Sequence, residues 1–249
     1  DFRTAAWGEA PYNGATALRP AFDAWLAGKA VEAGATLVTS TTATGLLRDP
    51  SGGICGVQTD RPDGDLTARL VIACDGVNSF LAKEAGLYHH NHPEHFTLGA
   101  KETLALPRDE IERRFGLRGD EGADFEIVGC TDGIAGGGFV YTNLDTIAVG
   151  VVLSLTGLSA QKQRPEQLIA GLKAHPAIAP LVEGAELVEY SAHLIPEAGL
   201  EMMPELATDG MLVAGDAGAF CLAAGIWLEG VNFAIGSGMV AGEVAFDAL

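Results

Sequence analysis

A chain of 249 residues, 48% of them hydrophobic, has apolar material for one large or two small domains. Its net charge of −18, with only 15 Lys and Arg, speaks against charge-driven binding to nucleic acid or anionic lipid. Cys55, Cys74, Cys130 and Cys221 form no CxxC, which argues against a zinc or iron–sulfur site made of these four and fits a reducing compartment. No signal peptide is read at the start, and the longest apolar run, 217–228, is shorter than the roughly 20 residues a span requires.

Residues 1–17 show no periodicity. Pro20 opens a helix in which Phe22, Trp25, Leu26 and Ala30 recur at helical spacing, and Gly34 closes it. Strands are predicted at 35–40, 45–48 and 54–59, with turns at 49–53 and 61–64. The apolar stretch 66–74 predicts one buried strand running into Asp75-Gly76, with Asn78-Ser79 capping a short helix through Ala85.

Composition shifts after Gly86. A histidine-rich loop holds His89, His90, His92 and His95. Strands at 97–104 and 147–153 flank a charged helix at 108–115, and 143–145 reads as a turn. Gly133 to Gly138 is also read as a turn. A helix at 165–175 and a strand at 186–195 follow, then a turn at Asp209-Gly210 and a short strand at 211–214. The last stretch, 232–249, predicts a small-residue helix. Gly236 and Gly238 inside it suggest tight packing on a neighbouring backbone or on a ligand, since glycine there costs roughly 1 kcal/mol against alanine. The 33 glycines, nearly twice the usual share of about 7%, fit either many turns or a cofactor lying on backbone.

Two strand ends carry the chemistry. Val71-Ile72-Ala73-Cys74-Asp75-Gly76 and Leu212-Val213-Ala214-Gly215-Asp216-Ala217-Gly218 are apolar strands that end in an acid beside glycine. Ligands of open α/β sheets bind outside the carboxyl ends of strands, where a carboxylate accepts hydrogen bonds from sugar hydroxyls. Small residues after it let a helix N-terminus approach phosphate. Either motif alone is more often a plain turn. Both together shift the balance.

Three runs in order, Arg19-Pro20-Ala21-Phe22-Asp23-Ala24-Trp25-Leu26, Ala73-Cys74-Asp75-Gly76-Val77-Asn78-Ser79 and Gly215-Asp216-Ala217-Gly218, resemble the glutathione-reductase-type FAD superfamily. More narrowly, the chain resembles the FixC-type branch of the electron-transfer flavoprotein:quinone oxidoreductases. Gly99-Ala100-Lys101-Glu102, Gly138-Phe139-Val140-Tyr141-Thr142-Asn143, Glu229-Gly230-Val231-Asn232 and above all Tyr190-Ser191-Ala192-His193-Leu194-Ile195-Pro196-Glu197 carry that resemblance.

The resemblance implies an α/β fold: a Rossmann-like FAD/NAD(P)-binding domain over 1–85 and 206–249, with an inserted antiparallel β-sheet and helix domain over 86–205. It implies FAD as cofactor. Arg19 would sit at the FAD and Asp75 and Gly76 near its adenosine side, with Asn78 and Ser79 also among the cofactor-binding residues. Asp216 would bond ribityl or phosphate oxygens, with Ala217 and Gly218 at a helix start by the pyrophosphate and Gly215 among the cofactor-binding residues. Gly230 and Asn232 would approach the flavin ring. The superfamily opens with a strand, GxGxxG and helix. No such fingerprint stands at the N-terminus here, so the chain reads as lacking the first βαβ unit.

Implied partners are an electron-transfer flavoprotein, a ferredoxin-like subunit and a quinone. The expected location is cytoplasmic, and peripheral on the membrane if the acceptor is a lipid-borne quinone. The apolar run through Ala223, Ile226, Trp227 and Leu228 is read as core in preference to an exposed membrane patch. No catalytic side chain and no metal ligand are expected. His90 and His92 are read as a solvated loop, His193 as a partly buried strand residue. A geranylgeranyl-reductase-like or hydroxylase-like flavoenzyme and a flavin-free binding subunit are the rival readings.

Overall fold

The computed structural model describes residues 14–88, 92–224 and 227–249. The chain divides into two compact units, one of 1–37, 100–151 and 164–192, the other of 38–99, 152–163 and 193–249.

In the first unit, helix α1 spans Arg19–Glu32 with Pro20 in its first turn, and Gly34 follows at φ +101°. The helix buries none of its residues, leaving Trp25 and Leu26 exposed. The strand expected at 35–40 does not form, because this stretch lies exposed and no sheet edge pairs with it. Strand β5 spans Phe96–Ala105, helix α3 Arg108–Phe115, β6 Asp124–Ile127, β7 Gly136–Thr142 and β8 Thr146–Ser154. Helices α5 (Pro165–Ala174) and α6 (Ala179–Val182) precede β9, Glu186–Pro196, whereas α4 (Leu155–Gln161) belongs to the second unit. The five strands order as β6-β7-β8-β5-β9.

The central β8 is apolar at nearly every position and buries Ile147, Val149 and Val151 completely. Leu168, Ile169 and Leu172 of α5 join that core. A Cβ added at Gly138 would meet Leu172 Cδ2 at 3.0 Å, so glycine there admits the helix. Gly136, Gly137 and Gly138 therefore start β7, and only 133–135 remain in the expected turn. Lys173 of α5 pairs with Glu102 of β5.

Partial burial on the edge strand β6, with Asp124 two residues away, pushes the Glu126 carboxyl up to about 7. A carboxyl raised in the folded state holds its proton there when the unfolded chain has already lost it. Its contribution is therefore neutral below the unfolded value and becomes destabilising as pH rises from about 4.5 to about 7. Glu126→Gln should flatten that part of the stability–pH profile, read by thermal melts between pH 4 and 8. An unchanged slope would refute the assignment.

The second unit opens with β1 (Ala43–Arg48), β2 (Ile54–Thr59) and the two-residue β3 (Leu66–Thr67), in a sheet of that order. The single strand expected over 66–74 is split. Leu66–Thr67 pairs with β2, while β4, Val71–Ala73, turns to a different sheet. Helix α2 spans Phe80–Glu84. Strands β10 (Ala207–Thr208) and β11 (Met211–Val213) complete a sheet of order β10-β11-β4. A hairpin of β12 (Leu222–Ala224) and β13 (Trp227–Glu229) leads into helix α7, Val231–Ala248. The core beneath the site consists of Leu46, Ile54, Ala73, Leu81, Ala82, Leu87, Met211, Val213 and Ala217.

Gly236 and Gly238 do not pack tightly on another backbone: a Cβ at either would meet nothing within 4 Å. The small residue that admits close packing on α7 is Ala234. His193 lies on β9 as expected but is exposed, not partly buried. The apolar run is divided. Ala217 and Cys221 are core, Leu222 and Ala223 are exposed, Leu228 is half-buried, and Ile226 and the Trp227 side chain lie outside the described residues. His90 also lies outside them. His92 is exposed and meets His95 edge-on. No described helix is long and apolar enough to cross a membrane.

Candidate functional site

Strands β4 and β11 run parallel, with Leu212 opposite Ile72 and Val213 opposite Ala73. The Ala214 N–H extends the ladder by one bond to Ala73 O, at 3.0 Å. Both acidic motifs therefore leave the sheet on one edge, at the carboxyl ends of adjacent parallel strands, where such sheets take ligands.

The first motif caps its own helix in an unexpected way. The Asp75 carboxylate accepts the Leu81 N–H at 3.0 Å, so Asp75, and neither Asn78 nor Ser79, caps α2 by side chain. Ser79 sits in the left-handed region at φ +48° and is fully buried, its hydroxyl turned to the Gly76 carbonyl at 3.0 Å. Gly76 takes φ +76°, a conformation that costs glycine nothing. Asn78 is exposed, and its carbonyl accepts a 2.6 Å bond from Lys83 Nζ.

The second motif is not a helix start. Gly215–Gly218 forms one 3-10 turn, and the β12–β13 hairpin intervenes before α7. Gly215, at φ +65°, donates its N–H to Ser237 Oγ of α7 at 2.9 Å. An added Cβ there would lie 3.6 Å from the Ala234 Cβ, so small residues seat the turn on the helix. Gly218 is buried against Phe220, whose ring would meet an added Cβ at 2.9 Å. Ala217 is buried and Asp216 half-buried.

Gly230 is the N-cap residue of α7, and an added Cβ would stand 3.7 Å from Asp216 Oδ1 and 4.0 Å from Cys221 Sγ. Gly230 has no side chain with which to cap the helix, whose first turn starts beside Asp216. Asn232 occupies the first turn, exposed, and donates to Glu229 Oε2 at 2.7 Å. Asp75, Gly76, Asn78, Ser79, Gly215, Asp216, Ala217, Gly218, Gly230 and Asn232 thus share one unit. Arg19 belongs to the other unit, where it opens α1 and pairs with Asp23 at 2.7 Å.

Two acids act on Cys221, whose Sγ an added Cβ at Gly230 would meet at 4.0 Å. The Cys221 thiol is pushed up to about 11 by burial, with Asp216 and Glu197 adding to the shift, and so stays protonated. Glu197 Oε2 is buried and has no hydrogen-bond partner among the described residues. Sequence reading missed Cys221 as a site neighbour. Its signal was its place five residues after Asp216 in a run otherwise free of polar side chains. A cleft of about 460 Å³ between 127–132 and α5 lies in the other unit, and no candidate residue lines it.

The site suits FAD in its donor set. Two strand-end carboxylates can accept hydrogen bonds from sugar and ribityl hydroxyls, and the start of an 18-residue helix lies beside one of them.

Residues 15–109 match the family described as "FAD binding domain", and the fold is that of the FAD-binding flavoproteins. FAD is the cofactor of this class. The chain is 44% identical over 234 residues to Protein FixC of Escherichia coli K12, covering 93% of this chain and 54% of that protein. It is 41% identical to FixC of Azorhizobium caulinodans, over 99% of this chain and 56% of that one. The probable electron transfer flavoprotein-quinone oxidoreductase YdiS of E. coli K12 is 39% identical, over 94% and 54%. The resemblance to the FixC-type branch thus extends along nearly all of the sequence, and the chain spans about half the length of these relatives.

Among solved structures, a geranylgeranyl bacteriochlorophyll reductase-like protein from Thermoplasma acidophilum superposes with a TM-score of 0.72 at 20% identity, over 92% of this chain and 54% of that one. A flavoprotein/dehydrogenase from Cytophaga hutchinsonii gives 0.67 at 19%, over 92% and 54%. These likenesses carry the fold.

Proposed function

We propose that this chain forms part of an FAD-dependent oxidoreductase that passes electrons from an electron-transfer flavoprotein to a quinone-type acceptor. The observation that carries the reading is the pairing of two acidic strand ends on one sheet edge, in a sequence 39–44% identical to FixC and YdiS proteins. Asp75 and Asp216 would hold hydroxyls of the cofactor, and Gly76 and Gly215 would let it lie against backbone. The first turn of α7, from Gly230 through Asn232, would face the flavin ring, and the resemblance adds Arg19 to the cofactor-binding residues. When bound, FAD supplies the electron-carrying centre, and the protein orients it and excludes water. Cys221, held protonated, adds no charge there.

The same reading assigns 1–85 and 206–249 to cofactor binding and 86–205 to the acceptor side. It also brings a ferredoxin-like subunit as partner and a cytoplasmic location, with membrane contact through the quinone. The reductase-like alternative rests on a fold likeness at 20% identity and ranks below it.

Two measurements test the proposal. The purified chain is mixed with FAD, excess is removed, and the visible spectrum is recorded. Retained flavin bands are expected. A folded, colourless protein would favour the flavin-free subunit. The chain supplied with FAD and reduced electron-transfer flavoprotein should then reduce a soluble quinone. Flavin retention without quinone reduction would reject the acceptor.

A further inference from the structure

The ladder ends at the Ala214 N–H, and strands of three residues cannot by themselves fix where Asp75 and Asp216 stand. The two strand-end loops are joined at the Ala217 carbonyl. Tyr88 Oη donates to it at 2.8 Å, and Ser79 Oγ lies 3.2 Å from it. The same Ser79 hydroxyl is 3.0 Å from Gly76 O and 3.2 Å from Tyr88 Oη. One small cluster therefore reaches the backbone beside each acid, Gly76 after Asp75 and Ala217 after Asp216.

The surroundings suit a fixed device. Ser79 is fully buried and sits in the left-handed region, uncommon for a residue other than glycine and held only where the surroundings demand it. Lys83 Nζ lies 5.7 Å from the Tyr88 ring centroid, over its face. Burial raises the Tyr88 hydroxyl above its usual range, and Asp75 and Asp216 both add to the rise, so it remains a donor and feels both carboxylates.

We infer that Tyr88 and Ser79 are positioning residues: a hydroxyl latch that sets the spacing of the Asp75 and Asp216 loops to the hydroxyl-bearing chain of the cofactor. The inference rests on the FAD reading above.

The test uses the full 249-residue chain. Tyr88→Phe keeps the ring and removes the hydroxyl. Its FAD affinity, read by quenching of flavin fluorescence, should fall roughly threefold to tenfold, the worth of one net hydrogen bond. The decisive readout is coupling. Added to Asp216→Asn, Tyr88→Phe should cost little further affinity, because the latch acts through the carboxylate loop. A general structural effect would give additive losses. Unchanged affinity, or strict additivity, would overturn the latch and leave the FAD reading intact. Should Tyr88→Phe fail to fold, Ser79→Ala takes its place in the same cycle. Should the wild-type chain take up no FAD, the cofactor reading fails for this chain, and amide hydrogen exchange decides the latch. Tyr88→Phe must then speed exchange at 76–81 and 215–219 while β8 stays protected. Equal exchange at those loops would reject it.

Discussion

Gly210→Ala is expected to destabilise the protein by at least about 3 kcal/mol. Gly210 turns the chain into β11 at φ +78°, and an added Cβ would lie 1.8 Å from Ile54 O. The carbonyl cannot yield, because Ile54 donates its N–H to Asp209 O at 3.0 Å and Val71 donates to Gly210 O at 2.9 Å. This turn joins the β1–β2 meander to the β4–β11 pair that carries the site. Strain of the left-handed conformation and the clash therefore add. A loss of this size is a large fraction of the roughly 5–15 kcal/mol that holds a typical domain. Gly236→Ala is the control: it sits in open space inside α7 and should gain about 0.5–1 kcal/mol. Urea titrations of the two variants check both. Equal midpoints for Gly210→Ala and wild type would show that the turn can rearrange.

Asp216→Ala should weaken FAD binding roughly tenfold to a hundredfold, the worth of hydrogen bonds to a charged acceptor. Asp216 stands at the carboxyl end of β11 close to the start of α7, where a Cβ added at Gly230 would lie 3.7 Å from its Oδ1. Loss of the carboxylate removes the acceptor but leaves the turn's own N–H bonds, from Gly215 to Ser237 Oγ and from Ala219 to Asp216 O, in place. Asp75→Ala should behave differently. It also removes the cap of α2, so weaker binding should come with about 0.5–2 kcal/mol of lost stability. Calorimetric FAD titrations beside thermal melts separate the two. Wild-type affinity in Asp216→Ala would remove this residue from the cofactor site.

Much of this was legible in the residues. Helices at 19–32, 108–115, 165–174 and 231–248 carry their own starts and stops, and their bounds lie close to those expected. Prolines open the first and third, and Pro107 directly precedes α3. The errors share one cause. Residues 35–40 are as strand-like as 54–59, but pairing needs an edge, and an edge is a tertiary fact. Leu66 and Ile72 lie in one apolar stretch, yet their partners, Val57 and Leu212, belong to different sheets. His193 has apolar neighbours in sequence, but which face of β9 it shows depends on what packs against that strand.

The sequence by itself determined the FAD-binding fold class, the two acidic strand ends and the resemblance to FixC-type proteins, because turn glycines, apolar runs and motif order are local properties. The tertiary structure decided how those pieces meet. It made β4 and β11 parallel neighbours, so that Asp75 and Asp216 share an edge although 140 residues of chain (76–215) lie between them. It gave the cap of α2 to Asp75, recast Gly215–Gly218 as a 3-10 turn, and brought Ser79 and Tyr88 onto the Ala217 carbonyl. A hydroxyl's partner depends on which backbone passes within about 3 Å of it. That follows from packing of distant segments, which no local pattern encodes.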